Sequence, residues 1–320
     1  MTLGLVGDIG GTNARFALWR EGRLEAVEVL STADFAGPEA AVREYLARQG
    51  LASCRLQRVC LACAGPVQGN LFHFTNNPWT LDRAAFVRAF GLQQLLLIND
   101  FQAMALGMTR VPPEARLTVR AGEADAARPA LVIGPGTGLG VATLLPRDAQ
   151  GRWHALEGEG GHASLPVGDA REAALWACLH RRVGHVEAET VLCGGGLVRL
   201  YQAACELDGE RPRFTRPAEI TGAALAGDRP AVAVLEQFCR WLGRVAGDHA
   251  LTLGARGGVY IVGGVVPRFA EFFLASGFAS AFVDKGGLGR YLEQVPVWLV
   301  TGGQPGLEGA AVALGQALAG

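Results

Sequence analysis

Gly7-Asp8-Ile9-Gly10-Gly11-Thr12-Asn13 lies between the apolar runs Leu3 to Val6 and Ala14 to Trp19, and it reads as a tight turn joining two strands. Leu24 to Leu30 is long and apolar enough to add a third strand beside them. The same layout recurs in the second part of the chain. Leu131 to Ile133 is apolar, Gly134 to Gly140 reads Gly-Pro-Gly-Thr-Gly-Leu-Gly, and Val141 to Leu145 is apolar again. Two strand-turn-strand units with glycine-rich turns suggest a duplicated α/β architecture. No G-x-x-x-x-G-K-[ST] loop is present, and no G-x-G-x-x-G follows a strand to open a helix, so P-loop and dinucleotide-binding readings both fail. In this chain each of the two loops feeds a strand. A phosphate would then be held by backbone amides and by the Thr12 and Thr137 hydroxyls, with Asp8 able to orient a hydrated Mg2+.

Between these loops the pattern alternates short apolar runs with amphipathic stretches. Pro38 to Gln49 reads as a helix opened by Pro38 and stopped by Gly50. Leu56 to Ala64 and Leu95 to Ile98 read as buried strands. Helical patterns follow at Arg171 to Val183, Gly196 to Leu207 and Pro230 to Leu253, the last closed by Gly254. A final strand, Val295 to Val300, leads to a helix from about Leu307 to Leu318. The domains expected are residues 1–110 with 301–320, and residues 111–300.

Composition narrows the function. The 320 residues exceed the span of one ordinary core, and half of them are hydrophobic, which is enough for two. A net charge of -1 with mixed signs offers no basic stripe for nucleic acid or an anionic membrane surface. Lys285 is the single lysine among 29 basic residues, so a phosphate site must rely on amides, arginine or metal. Seven cysteines without scaffold spacing fit a reducing compartment. Cys60 and Cys63 form a C-x-x-C, but within the apolar run Val59 to Ala64 they read as buried strand thiols. No basic leader precedes the first strand, and the uncharged stretch Pro129 to Pro146 is broken by glycines and Pro135, so a cytoplasmic enzyme is expected. Glycine supplies 45 residues, about twice the usual ~7%.

Three further segments carry chemistry. Asn99 and Asp100 end the run Leu95 to Ile98, which places a carboxylate at the carboxyl end of a buried strand, where α/β sheets bind ligands. One member of the pair can cap the helix that follows while the other serves a ligand. Glu157-Gly158-Glu159-Gly160-Gly161-His162 sets carboxylates and an imidazole on flexible backbone with no helical or strand pattern, which suits hydrogen bonds to vicinal hydroxyls. A metal site is the competing reading of that segment, and no cysteine cluster follows to support it. Gly263-Gly264, after the strand Gly258 to Val262, is a third turn of close approach.

Two paired glycine loops with a third in this order resemble the actin-like ATPase superfold, a two-domain ribonuclease H-like α/β fold that clamps a nucleotide in a cleft. The detailed motifs resemble one family within it, the bacterial glucokinases of the non-ROK type. They are Gly7 to Arg15, Thr75-Asn76-Asn77-Pro78-Trp79, Ile98-Asn99-Asp100-Phe101, Gly134 to Gly140, Gly158-Glu159-Gly160-Gly161-His162, Glu189 to Gly194, Gly263 to Arg268, and Phe282 to Gly286. The resemblance implies phosphorylation of glucose to glucose 6-phosphate by ATP with Mg2+. It implies Asp100 as catalytic base, with Asn99, Asp100, Glu159, His162 and Glu189 on the sugar hydroxyls. It also implies Gly7, Asp8, Ile9, Gly10, Gly11, Thr12, Thr137, Gly138, Gly263 and Gly264 at the nucleotide, and a homodimer. From the residues alone Glu189 is an ordinary charge opening a strand; only the resemblance singles it out.

Related ROK kinases carry a zinc-binding cysteine cluster after the equivalent Glu and His. Here Ala163-Ser164-Leu165-Pro166 follows, so no zinc is expected. A chaperone-type or filament ATPase on the same superfold, or a kinase for another hexose, is the alternative.

Overall fold

The computed structural model of the protein describes residues 3–20, 22–54, 56–65, 69–75 and 77–318. Asn76, one of the motif residues above, lies outside them. The chain gathers into two compact units. The first comprises Met1–Pro112, Arg147–Glu157 and Gly303–Gly320, and the second Pro113–Pro146 and Gly158–Gly302.

The first unit opens with β1 (Gly4–Ile9), β2 (Asn13–Arg20) and β3 (Arg23–Ser31), followed by α1 (Pro38–Arg48) and β4 (Arg58–Cys63). A small hairpin of β5 (Leu71–His73) and β6 (Thr80–Asp82) leads to α2 (Arg83–Phe90), β7 (Gln94–Asn99) and α3 (Asp100–Gly107). The sheet order is β3-β2-β1-β4-β7, with β1 antiparallel to β2 and parallel to β4, and β4 parallel to β7.

The period-2 alternation of strands sorts this sheet into two faces. Leu5, Ile9, Val59, Leu61 and Cys63 join Phe16, Tyr45 and Phe86 in one core. Val6 and Cys60 fall on the other face. Cys60 and Cys63 therefore lie on opposite sides of β4 as buried free thiols, and burial pushes both thiols up. The reading of them as strand thiols holds.

In the second unit the chain runs through β8 (Arg116–Arg120), β9 (Ala130–Pro135) and β10 (Leu139–Leu145). The segment Arg147–Glu157 carries most of β11 (His154–Gly158). A helical layer follows: α4 (Ala170–Val183), α5 (Gly194–Leu207), α6 (Pro217–Leu225) and α7 (Arg229–Leu253). The chain continues through β12 (Val259–Ile261), α8 (Ala270–Ala275), α9 (Phe278–Val283), α10 (Gly289–Glu293) and β13 (Val297–Val300), and α11 (Pro305–Gln316) returns to the first unit.

Strands β10, β9, β12, β13 and β8 stand side by side in that order. β9 is antiparallel to β10 and parallel to β12, and β12 is parallel to β13. This is the arrangement of β2, β1, β4 and β7, so the repeat read from the glycine loops is a repeat of topology. The 25-residue α7 ends at Gly254, whose φ of 59° is the left-handed stop its sequence suggested.

In the first unit α11 covers the second face of the sheet with Leu307, Ala310, Ala311 and Leu314. Glycines of both helices set how close α11 comes to α3. A Cβ on Gly309 would sit 1.7 Å from the Ala103 carbonyl oxygen. One on Gly107 would sit 2.0 Å from that of Pro305. Backbone thus packs on backbone, which fixes the helix that begins at Asp100. Among the described residues no helix is long and apolar enough to cross a membrane.

Candidate active site

In the first unit the parallel strands β1, β4 and β7 end together. Register pairs Asp8 with Ala62, and Cys63 with Asn99, so Asp8 and the Asn99-Asp100 pair share the carboxyl edge of one sheet, the usual ligand edge of α/β folds. Cys63 reports their proximity. Its thiol is pushed well up, chiefly by burial, then by Cys60 and by the carboxylates of Asp100 and Asp8.

Asn99 and Asp100 both bond the first turn of α3, and Asp100 Oδ1 accepts the Phe101 amide at 2.9 Å beside Asn99. Asn99 is the N-cap: its Oδ1 accepts the amides of Phe101 at 2.9 Å and Gln102 at 3.1 Å, and its Nδ2 donates to the Gly65 carbonyl at 3.3 Å. Asp100 occupies the first helical position of α3, where a carboxylate is favoured by the helix N-terminus.

Asp8 lies on the α11 face of β1, by the same alternation that puts Val6 there. A Cβ on Gly306 would lie 2.6 Å from its Oδ2, so only glycine at the start of α11 leaves room for this carboxylate. Burial raises the Asp8 pKa, opposed by the Arg15 guanidinium 3.8 Å away.

The first glycine turn is held by its carbonyls. Asn77 Nδ2 donates to Gly10 O at 3.0 Å, Thr32 Oγ1 to Gly11 O at 2.8 Å, and the Thr32 amide to Thr12 O at 3.0 Å. A trans peptide directs its N–H opposite to its C=O, so the amides of Gly11 and Thr12 face away from these anchors. Gly7 and Ile9 stand apart from the turn itself. Ile9 is fully buried, and a Cβ on Gly7 would lie 2.7 Å from Leu61 Cδ2; both pack the sheet, and Thr12 is the exposed residue of the turn, with Gly10, Gly11 and Asn13 half-buried beside it. Thr32 had no sequence signal. Asn77 had one only through its motif.

The second unit builds its own edge. The turn after β9 is closed by Gly136 N to Gly138 O at 2.7 Å and tied to α5 by Gly194 N to Gly136 O at 2.9 Å, leaving Thr137 exposed. Gly263, with φ 86°, passes so close to Pro135 that a Cβ would lie 2.4 Å from its carbonyl oxygen. Gly264 beside it is open on its Cβ side.

Glu157 to His162, read as irregular, divides between the end of β11 and a single 3-10 turn, Gly160–His162. Gly160 and Gly161 are sterically required, whereas Gly158 is open on its Cβ side. A Cβ on Gly161 would lie 2.1 Å from Leu139 O, and one on Gly160 would lie 2.9 Å from His249 Cε1. His249 Nε2 sits 3.2 Å from Gly160 O, and burial lowers its pKa. The turn is thereby pressed onto the start of β10.

Glu189 does not open a strand as the sequence reading had it. It lies in the 3-10 turn Ala188–Thr190 that feeds α5, because Thr190 N bonds Glu187 O at 3.0 Å and Leu192 N bonds Ala188 O at 2.9 Å. Its Oε2 accepts the Leu139 amide at 2.6 Å. Glu159, His162 and Glu189 are therefore brought together beside the second glycine turn: His162 Nε2 is 3.9 Å from Glu159 Oε2, and ligand atoms of His162, Glu187 and Glu189 all fall within 4.8 Å of one another. Glu187, which no sequence signal marked, lies 3.0 Å from His162 Nδ1. It raises the His162 pKa, aided by the charges of Glu189 and Glu159.

Duplicated sheets with a glycine turn at each β-hairpin define the two-domain actin-like ATPase fold of sugar kinases. A solved ROK family glucokinase from Streptomyces griseus, in complex with glucose and AMPPNP, shares this fold with a TM-score of 0.62 over 98% of this chain and 99% of that one, at 21% identity. A glucokinase from an Antarctic psychrotroph superposes with a TM-score of 0.88 at 38% identity, covering 99% of each chain. The glucokinase family model matches residues 5–317. The glucokinase of Pseudomonas paraeruginosa is 57% identical over 99% of this chain and 93% of its own, and that of Marinobacter nauticus 47% over 97% of each. The chain belongs to the glucokinase family.

Proposed function

We propose that the protein transfers the γ-phosphoryl group of ATP to the 6-hydroxyl of glucose, with Asp100 as general base. The observation that carries the assignment of the base is the place of Asp100 at the ligand edge of the sheet, where its Oδ1 shares the Phe101 amide with Asn99 while Asn99 alone takes that of Gln102. The 6-hydroxyl oxygen attacks the γ-phosphorus, its proton passes to the Asp100 carboxylate, and the bond to the β,γ-bridging oxygen breaks to release ADP. Such transfer depends on positioning and charge neutralisation.

The amides of Gly11 and Thr12, the 136–138 turn and the Thr12 and Thr137 hydroxyls grip the phosphates, and Gly263-Gly264 admits the adenosine. Asn99, Glu159, His162 and Glu189 hold the remaining sugar hydroxyls. A Mg2+ carried with the nucleotide neutralises phosphate charge. Asp8, an oxygen donor at the same edge as Asp100, fits its hydrated shell. The two compact units act as the small and large domains, residues 1–110 with 301–320 and residues 111–300, with Arg147–Glu157 joining the small one.

A coupled assay across glucose, mannose and glucosamine, each with ATP, ADP and polyphosphate, tests the reading. Glucose with ATP should give the highest kcat/KM. ATP turnover indifferent to any sugar would instead favour a chaperone-type ATPase.

A further inference from the structure

The pair His162 and Glu187 has a geometry that the reaction above does not account for. Backbone pairing creates it: Ser164 bridges Glu187, Leu165 N bonds Val186 O at 3.0 Å, and Ala188 N bonds Ala163 O at 2.8 Å. Glu187 therefore stands beside the turn that ends at His162. Its own amide is held by Thr190 Oγ1 at 3.2 Å. A carboxylate only accepts hydrogen bonds. With Glu187 Oε2 3.0 Å from Nδ1, the proton of a neutral His162 must sit on Nδ1, and the half-exposed ring presents Nε2 to a ligand.

We propose that Glu187 is a positioning residue for the sugar: by accepting from Nδ1–H it fixes the orientation of the His162 ring and turns Nε2 toward a glucose hydroxyl, to whose oxygen Nε2–H donates when the ring is protonated. Histidines whose outer nitrogen is fixed by a carboxylate are directed in this way. The groups facing His162 are Glu187 and Glu189 from the turn before α5 and Glu159 from its own segment, while His249 of α7 bonds Gly160 of the same turn. The three carboxylates all favour the cation, and burial lowers the pKa of His249.

This inference rests on the placement of His162 at the sugar, and the experiment separates the two. Long-range 1H–15N spectra of the imidazoles, with His162 assigned from His162→Gln, would be recorded with and without glucose for the wild type and for Glu187→Gln, which keeps the size of the side chain. Glucose KM would be measured across pH 5.5–9. The wild type should show the Nδ1–H tautomer, a pKa above the ordinary value of about 6.5, and a glucose-dependent Nε2 shift. Glu187→Gln should lower that pKa by about one pH unit. It should raise glucose KM about tenfold, more than it lowers kcat, and move the pH at which KM begins to rise downward. A glucose-dependent Nε2 shift with tautomer, pKa and KM untouched by Glu187→Gln overturns the role of Glu187 alone. No Nε2 response to glucose, with KM unaffected by His162→Gln, overturns the sugar site as well. If Glu187→Gln fails to fold, the wild-type tautomer still decides: a proton on Nε2 with Nδ1 bare refutes the proposal.

Discussion

Glu189 Oε2 accepts the backbone amide of Leu139 at 2.6 Å, so a carboxylate assigned to the sugar also fastens the glycine turn assigned to the phosphates. The fit is close: a Cβ on Gly138 would lie 2.4 Å from the same oxygen. Glu159 has no such second duty, its side chain being 71% exposed. The two glutamates should therefore differ when truncated. Glu159→Ala should raise KM for glucose and leave KM for ATP near its wild-type value. Glu189→Ala also strands the amide of the buried Leu139, at a cost of about 1–3 kcal/mol, and should raise both KM values, by ~10- to 100-fold in total. Steady-state kinetics with each substrate varied in turn checks this; identical profiles for the two variants would separate Glu189 from the loop.

Asp100→Asn should preserve α3, because Asn99 keeps its bonds to the Phe101 and Gln102 amides and the new amide oxygen can still accept from Phe101 as Asp100 Oδ1 does. Turnover should fall by ~10²–10⁴-fold, the usual contribution of a general base, with an unchanged melting temperature. Asn99→Ala should do the reverse in stability: loss of an N-cap costs about 1 kcal/mol, seen as a lower Tm. A fully active Asp100→Asn would remove the base from the mechanism.

Much of this was legible in the sequence because it depended on local chemistry. The glycine turns announced themselves between apolar strand runs, Asn99-Asp100 closed an apolar run with cap residues, and Gly254 ended α7 as a glycine should. What escaped depended on partners far along the chain. Thr32 holds Gly11 from 21 residues away, and Glu187 meets His162 only because Ser164 pairs with it. Glu189 looked like the start of a strand because Val191 and Leu192 follow it. Those two side chains are core residues of the link between the 3-10 turn and α5, and a short apolar run does not distinguish such a link from a strand by period. The segment Arg147–Glu157 gave no signal of its membership in the first unit either. Gln316 of α11 holds it there, exchanging bonds of 2.6 and 2.9 Å with the backbone of Trp153.

The cluster of His162, Glu187 and Glu189 has the composition of a metal site, and two of its contacts are already made, His162 Nδ1 to Glu187 and Glu189 Oε2 to the Leu139 amide. A neutral His162 carries its proton on Nδ1 against Glu187, and Glu189 Oε2 binds an amide. Zinc on Nδ1 would have to displace its proton and the Glu187 bond, and zinc on Nε2 would take the nitrogen proposed for the sugar. Elemental analysis of the purified protein should find less than stoichiometric zinc, and chelation should leave the fold and Tm intact. One zinc per chain, with loss of Tm on chelation, would make the cluster structural.

Asp8 supplies the last prediction, because its position is unfavourable for stability. The carboxylate is packed on Gly306 and desolvated, and its pKa is raised in spite of Arg15. A carboxyl whose folded pKa lies above its unfolded value binds protons more tightly when folded, so stability falls as pH rises through that range, and the deficit is complete above the folded pKa. Replacing it by the neutral isostere should relieve that deficit. Arg15 loses its partner in the process, but its side chain is about one-third exposed and remains solvated. Asp8→Asn should accordingly match or exceed the wild type in Tm, with the advantage at pH 8 at least as large as at pH 5. Turnover should fall by ~10²-fold or more, as expected when a group that organises transition-state charge is removed, and the Mg2+ concentration for half-maximal rate should rise. Paired melting curves and Mg2+ titrations measure both. A variant that loses Tm yet keeps its turnover would show that Asp8 serves the packing of α11 and has no part at the nucleotide.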